Sequence, residues 1–166
     1  MAKITFKGNP VNTSGNLPAK GSKAPEFSLV KSDLGTLKLS DIKGKKLILN
    51  IFPSLDTSVC ATSVRKFNEL AAGMTDVTVL AISKDLPFAH GRFCTTEGIK
   101  NVVTLSGFRD NAFGKAYGVD IIDGLFEGLY SRSIVVVNES GKVTYTELVP
   151  EIGQEPDYDS ALNALK

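Results

Sequence analysis

Two short runs constrain this chain more than anything else in it. KLILNIF (Lys46–Phe52) and VTVLAIS (Val77–Ser83) are apolar almost without alternation, the pattern of sheet strands covered on both faces rather than one. Between them, CATSVRKFNELAAG places Val64, Phe67, Leu70 and Ala71 at helical spacing and then reaches Gly73, a natural stop. A chain with such strands must cover both sides of a sheet, and helices are the cover this sequence provides.

The remaining segments follow that plan. KITFK alternates, GNP turns and VNTS returns, so the chain is expected to start with a β-hairpin. Gly15 to Pro25 reads as loop, and FSLV (Phe27–Val30) and TLKLS (Thr36–Ser40) as short strands about the turn SDLG. LPFAHGRFCTTEG opens with a proline suited to a first helical turn and ends on Gly98. VVTLS is strand-like and FRDNAFGKAYG a short helix, while RSIVVVN (Arg132–Asn138), ESGK and VTYTELV (Val143–Val149) form a second hairpin. DYDSALNALK closes the chain as a docking helix. Strand–helix–strand–helix, then a hairpin and a helix, specifies an α/β sandwich with a mixed central sheet flanked by helices. A thioredoxin-like arrangement with an added N-terminal hairpin fits best, as a single domain over residues 1–166.

Composition narrows the function. With 166 residues and 42% hydrophobic content, the core needs no staples. Lysine and arginine number 19 against 18 acidic residues, a net charge of +1, which leaves no electrostatic footprint for nucleic acid or an anionic membrane. No apolar stretch has signal-peptide or membrane-spanning length, so a soluble cytoplasmic protein is expected. Glycine-rich phosphate loops are missing, which argues against nucleotide enzymes. One histidine, His90, rules out a histidine-rich metal site. Two cysteines do not make a disulfide framework in a domain of this size, and in a reducing cytosol a bridge between them would be transient and functional.

The informative stretch is PSLDTSVC, Pro53 to Cys60, where the first core strand hands over to its helix. A thiolate, not a thiol, is the nucleophile, so a reactive cysteine needs positive potential. A place in the first helical turn provides some through unpaired N–H groups and the macrodipole, about 0.3–1 kcal/mol when exposed. That is less than one pH unit of titration, and a guanidinium is the best further source because it stays charged. Arg65, Arg92, Arg109 and Arg132 are the candidates; Arg132 opens a strand and so stands at one end of the sheet. Other readings stay open from these residues alone. Cysteine is often an inert core residue, Thr57 reads as a helix cap, Pro53 as a strand terminator and Arg132 as half of a surface ion pair. Thr57 precedes Cys60 by three positions, so both can face one spot.

Pro53, Thr57 and Cys60 at this spacing resemble the active-site motif of the peroxiredoxin family. NIFPSLDTSVCATSVRKFN and LPFAHGRFC resemble its bacterial thiol peroxidase branch, of the atypical two-cysteine kind. The likeness extends over nearly the whole chain. It implies that Cys60 is the peroxidatic nucleophile, that Thr57 hydrogen-bonds the peroxide and that Pro53 shields the sulfur. Arg132 would stabilise the thiolate and the transition state. Cys94 would be the resolving cysteine, condensing with a Cys60 sulfenic acid to an intramolecular disulfide. With both cysteines in helices, that step calls for local unwinding. The resemblance further implies hydrogen peroxide and alkyl or lipid hydroperoxides as substrates, thioredoxin as reductant, a homodimer and no cofactor. It leads us to expect glutamine in many relatives at the position of His90, and Lys84 is likewise unusual; neither matches a catalytic position.

Three alternatives compete. Cys94 has a lesser reading as a buried apolar filler beside Phe93. His90 and Cys94 lie four apart on one helix face, and with Cys60 they make the three ligands of a metal-binding module. A thioredoxin-type reductase would need CxxC, and Thr57 stands where its first cysteine belongs. Leu125, Phe126, Leu129 and Tyr130 are candidates for an apolar wall, core or dimer contact.

Overall fold

The structure, a computed structural model, describes residues 1–166. The chain order is β1 (Lys3–Phe6), β2 (Asn9–Asn12), β3 (Ser28–Lys31), β4 (Thr36–Lys38), β5 (Lys46–Ile51), α1 (Ser58–Ala71), β6 (Val77–Ser83), α2 (Pro87–Glu97), β7 (Val102–Ser106), α3 (Ala112–Tyr117), β8 (Ser133–Val137), β9 (Val143–Leu148) and α4 (Tyr158–Asn163). Seven strands form one sheet in the order β4-β3-β7-β6-β5-β8-β9. β5, β6 and β7 run parallel to their neighbours among themselves, and every other pairing is antiparallel. This is the expected thioredoxin-like sandwich with a mixed sheet.

Strand alternation sorts the core into two halves. Leu47, Leu49 and Ile51 of β5 face a cluster with Phe27, Phe113, Tyr117 and Tyr130. Ile48 and Phe52 face the other side, with Val64 and Phe67 of α1 and Ala161 of α4. The central strands are buried on both faces, which is why they read as continuous apolar runs. Burying residues such as Leu49 and Ile82, both fully inaccessible, contributes roughly 1.5–3 kcal/mol apiece.

Two boundaries differ from the sequence expectation. The hairpin turn is Lys7-Gly8, with φ of 49° and 79°, not Gly8–Pro10. Two positive φ values are what a two-residue turn needs to match strand twist. Pro10 lies inside β2 opposite Thr5, tolerated because β2 is an edge of a two-stranded ribbon. TLKLS stops as a strand at Lys38, and Leu39–Ile42 tightens into a 3₁₀ turn. The hairpin docks through Ile4 and Val11 on Ile121 and Ile152.

Candidate active site

β5 ends at Ile51, and Phe52–Thr57 lead without regular structure into α1. Proline at 53 removes a ladder donor at the strand's end, and Pro53 is buried there. Thr57 occupies the N-cap position of α1, yet its hydroxyl does not cap the helix. It donates instead to the Ser54 carbonyl at 2.9 Å, which leaves its lone pairs as acceptors. Cys60, third residue of α1, is fully buried beside Phe52 and Val64. Its carbonyl accepts from Ser63 Oγ at 2.8 Å, and Asn50 of β5 donates to that same hydroxyl at 3.2 Å. Strand and helix are thereby tied at the level of the sulfur.

Arg132 is the arginine that reaches it. Its Nη2 donates to Cys60 Sγ at 3.2 Å. Its Nε donates to the Ile152 carbonyl at 2.9 Å. Nη1 is buried without a partner, and the residue is 2% exposed. No carboxylate pairs with it; the acidic partners go elsewhere. Arg65 forms a fork on Glu97 with both distances 2.9 Å, Arg92 stands 3.8 Å from Asp56, and Arg109 lies over the Phe108 ring. A guanidinium out of water needs partners that accept from it, and Cys60 Sγ and the Ile152 carbonyl are those placed to do so.

Beneath the loop lies a cluster that sequence reasoning missed. Asp85 accepts from Ser54 Oγ at 2.7 Å and from the Leu55 N–H at 2.8 Å, and Ser83 Oγ donates to it at 2.6 Å. Ser83 Oγ also lies 2.8 Å from His90 Nε2. Because the serine hydrogen is committed to Asp85, His90 donates from Nε2, and its Nδ1 is left buried and unpartnered. Burial pushes the imidazole down to about 4. Asp85 precedes Leu86-Pro87 at the start of a helix, so the only signal in the sequence resembled an ordinary cap.

Cys94 lies near the end of α2, half-buried against the same apolar cluster as Cys60, and both thiols are free. Burial pushes the Cys94 thiol up. The metal set of Cys60, His90 and Cys94 is not assembled: no group of three His, Cys, Asp or Glu side chains is placed to hold a metal, and His90 Nε2 is turned to Ser83. The GLFEGLY segment divides. Tyr130 is core, Phe126 packs on Phe6 with centroids 4.5 Å apart, Leu129 is half-buried, and Leu125 is 89% exposed. No helix is long and apolar enough to cross a membrane.

Comparison with known proteins identifies the family. A family model described as Redoxin matches residues 19–162. Thiol peroxidases of Corynebacterium glutamicum and Mycobacterium tuberculosis are 57% and 58% identical over 165 residues, 99% of each chain. The chain belongs to the thiol peroxidase branch of the peroxiredoxins. A peroxiredoxin-like protein from Aquifex aeolicus superposes with a TM-score of 0.93 at 42% identity, covering 98% of this chain and 95% of its own. A thiol peroxidase from Chromobacterium violaceum, at 21% identity and a TM-score of 0.90 over 97% and 93%, shares the fold.

Proposed function

We propose that this peroxiredoxin reduces hydrogen peroxide and alkyl or lipid hydroperoxides at Cys60, within a single domain of residues 1–166. The observation that carries the reading is the buried contact of Arg132 Nη2 with Cys60 Sγ. A cation with no carboxylate partner favours the thiolate form of the sulfur it touches. The thiolate attacks one peroxide oxygen and the O–O bond breaks. The departing oxygen takes the peroxide's proton and leaves as alcohol or water, and Cys60 retains the other oxygen as a sulfenate. Arg132 Nη1 has a donor to offer the oxygens as charge moves onto them. Thr57 Oγ1, its hydrogen held by Ser54, can accept from the peroxide O–H. Pro53 keeps water from the sulfur.

Cys94 then attacks the protonated sulfenic acid, water leaves, and an intramolecular Cys60–Cys94 disulfide forms. A dithiol of the thioredoxin type returns both electrons through a mixed disulfide. The high-lying Cys94 thiol becomes a better nucleophile once α2 loosens and solvent reaches it. A homodimer formed over the exposed Leu125 completes the reading; Leu125→Asp should lower the sedimentation coefficient toward that of a monomer.

The test is peroxide consumption coupled to a thioredoxin system, with cumene hydroperoxide and hydrogen peroxide compared. Cys60→Ser should consume neither. Turnover retained in that variant would overturn the assignment.

A further inference from the structure

Ile152, which holds Arg132, belongs to no strand, yet its position is fixed. The Ile152 N–H donates to the Thr5 carbonyl at 2.9 Å, and the Thr5 N–H donates to the Pro150 carbonyl at 2.8 Å. The side chain of Glu151, between them, accepts from Thr5 Oγ1 at 2.6 Å, from the N–H groups of Lys7 at 3.0 Å and Gly8 at 3.3 Å, and from that of Gly153 at 3.3 Å. Thr5 above all, with these backbone donors, holds the carboxyl down to about 2. The left-handed Lys7 and Gly8 are the residues that aim the turn's N–H groups at it. At the other end of the same segment, the Val149 N–H donates to the Arg132 carbonyl at 3.0 Å. Backbone and guanidinium of Arg132 are therefore both anchored on residues 149–152, and those residues are anchored on the N-terminal hairpin.

We propose that Glu151 is a positioning residue: gripped by the hairpin turn, it sets the Ile152 carbonyl, and through it the plane of the Arg132 guanidinium against Cys60. The inference rests on the proposed role of Arg132 and adds a function for the hairpin, whose apolar residues Ile4 and Val11 pack in a cluster apart from that of the two cysteines. A two-stranded hairpin has little stability of its own, so its grip on Glu151 is a joint property of turn and loop. The guanidinium has a planar fork, so its value depends on tilt as well as distance.

The test uses the full chain carrying Cys94→Ser, so that one thiol reports. Iodoacetamide alkylation of Cys60 is followed against pH, and the first equivalent of peroxide consumed is timed. Glu151→Gln, which puts an amide N–H₂ among donors, and Thr5→Val, which removes the strongest contact, should both move the alkylation midpoint to higher pH. They should also slow peroxide consumption about tenfold, below the ~10²-fold that an ångström of misplacement costs. Added to Arg132→Met, neither should shift the midpoint further, because the two act through one group. A merely structural role would lower the melting temperature and leave the midpoint in place. If Arg132→Met shifts the midpoint and both hairpin variants do not, Glu151 does not position the arginine and the arginine's own role stands. Additive shifts sink the inference as well. An unshifted Arg132→Met sinks both.

Discussion

Arg132 reaches Cys60 Sγ across 3.2 Å from a side chain 2% exposed, and no acidic side chain shares its charge. The expected outcome for Arg132→Met is a loss of about 10²–10³ in peroxide reduction, the scale of one transition-state donor. Arg132→Lys should recover only part. A single ammonium cannot bond the Ile152 carbonyl, the sulfur and an incoming oxygen in one plane, as the three guanidinium nitrogens can. Stopped-flow peroxide consumption checks both; full recovery by lysine would reduce the arginine to a point charge.

Thr57 separates capping from chemistry. Since its hydroxyl bonds the Ser54 carbonyl and not the helix, Thr57→Val should leave α1 intact and lower stability by about 1 kcal/mol, one ordinary hydrogen bond. Activity should fall by roughly 10²–10³, and Thr57→Ser should restore most of it. An activity loss below tenfold in Thr57→Val would leave the threonine a loop-fastening residue only.

His90 gives the fold a pH dependence of definite sign. Its ordinary value is 6.5 and burial takes it to about 4 in the folded chain, with Ser83 and Asp85 facing it. Between those values the unfolded chain binds a proton that the folded one refuses. Stability is therefore full above about pH 6.5 and falls as pH drops toward 4, by up to roughly 3 kcal/mol. Glu151, taken from 4.5 to about 2, acts in the same direction at lower pH. His90→Gln should flatten the urea midpoint between about pH 7 and about pH 5. An unchanged slope would place the titration elsewhere.

What the sequence disclosed depended on how local the cause was. Lys46–Phe52 and Val77–Ser83 carried the sheet because burial on both faces leaves a continuous apolar run. Pro53, Thr57 and Cys60 lie within one loop and the first turn of α1, so the motif was legible as a local spacing. Arg132 was one of four arginines, and only strand pairing of Ile51 with Ser133 set it beside Cys60. Asp85 and Glu151 were invisible. Each is held in part by partners far away in sequence, Ser54 and Leu55 for Asp85 and Thr5, Lys7 and Gly8 for Glu151, and backbone donors and common hydroxyls mark no such pairing in the sequence. The hairpin turn was misplaced by one residue for a related reason: Pro10 suggested a turn, whereas Lys7 supplied the positive φ.

The relation between Cys60 and Cys94 is the most demanding test. Cys60 is enclosed in the first turn of α1, its carbonyl held by Ser63. Cys94 lies near the end of α2, where its carbonyl accepts from the Ile99 N–H at 3.0 Å and from the Gly98 N–H. A bridge needs Cα atoms within about 7 Å and Cβ vectors that converge, so we expect these two helix ends to loosen before the sulfurs join. Closing the loop restricts the unfolded chain by roughly 3–4 kcal/mol in the entropy account. The lost helical bonds and exposed apolar surface act against it, so oxidation should change the melting temperature little. Cys94→Ser should consume about one equivalent of peroxide per chain at the wild-type rate and then stall. Mass spectrometry should find sulfenic or sulfinic acid on Cys60. Wild type under mild peroxide should lose two hydrogens per chain and run as a monomer on non-reducing gels. A covalent dimer as its main product would exclude the intramolecular bridge, and steady turnover by Cys94→Ser would remove Cys94 from the cycle.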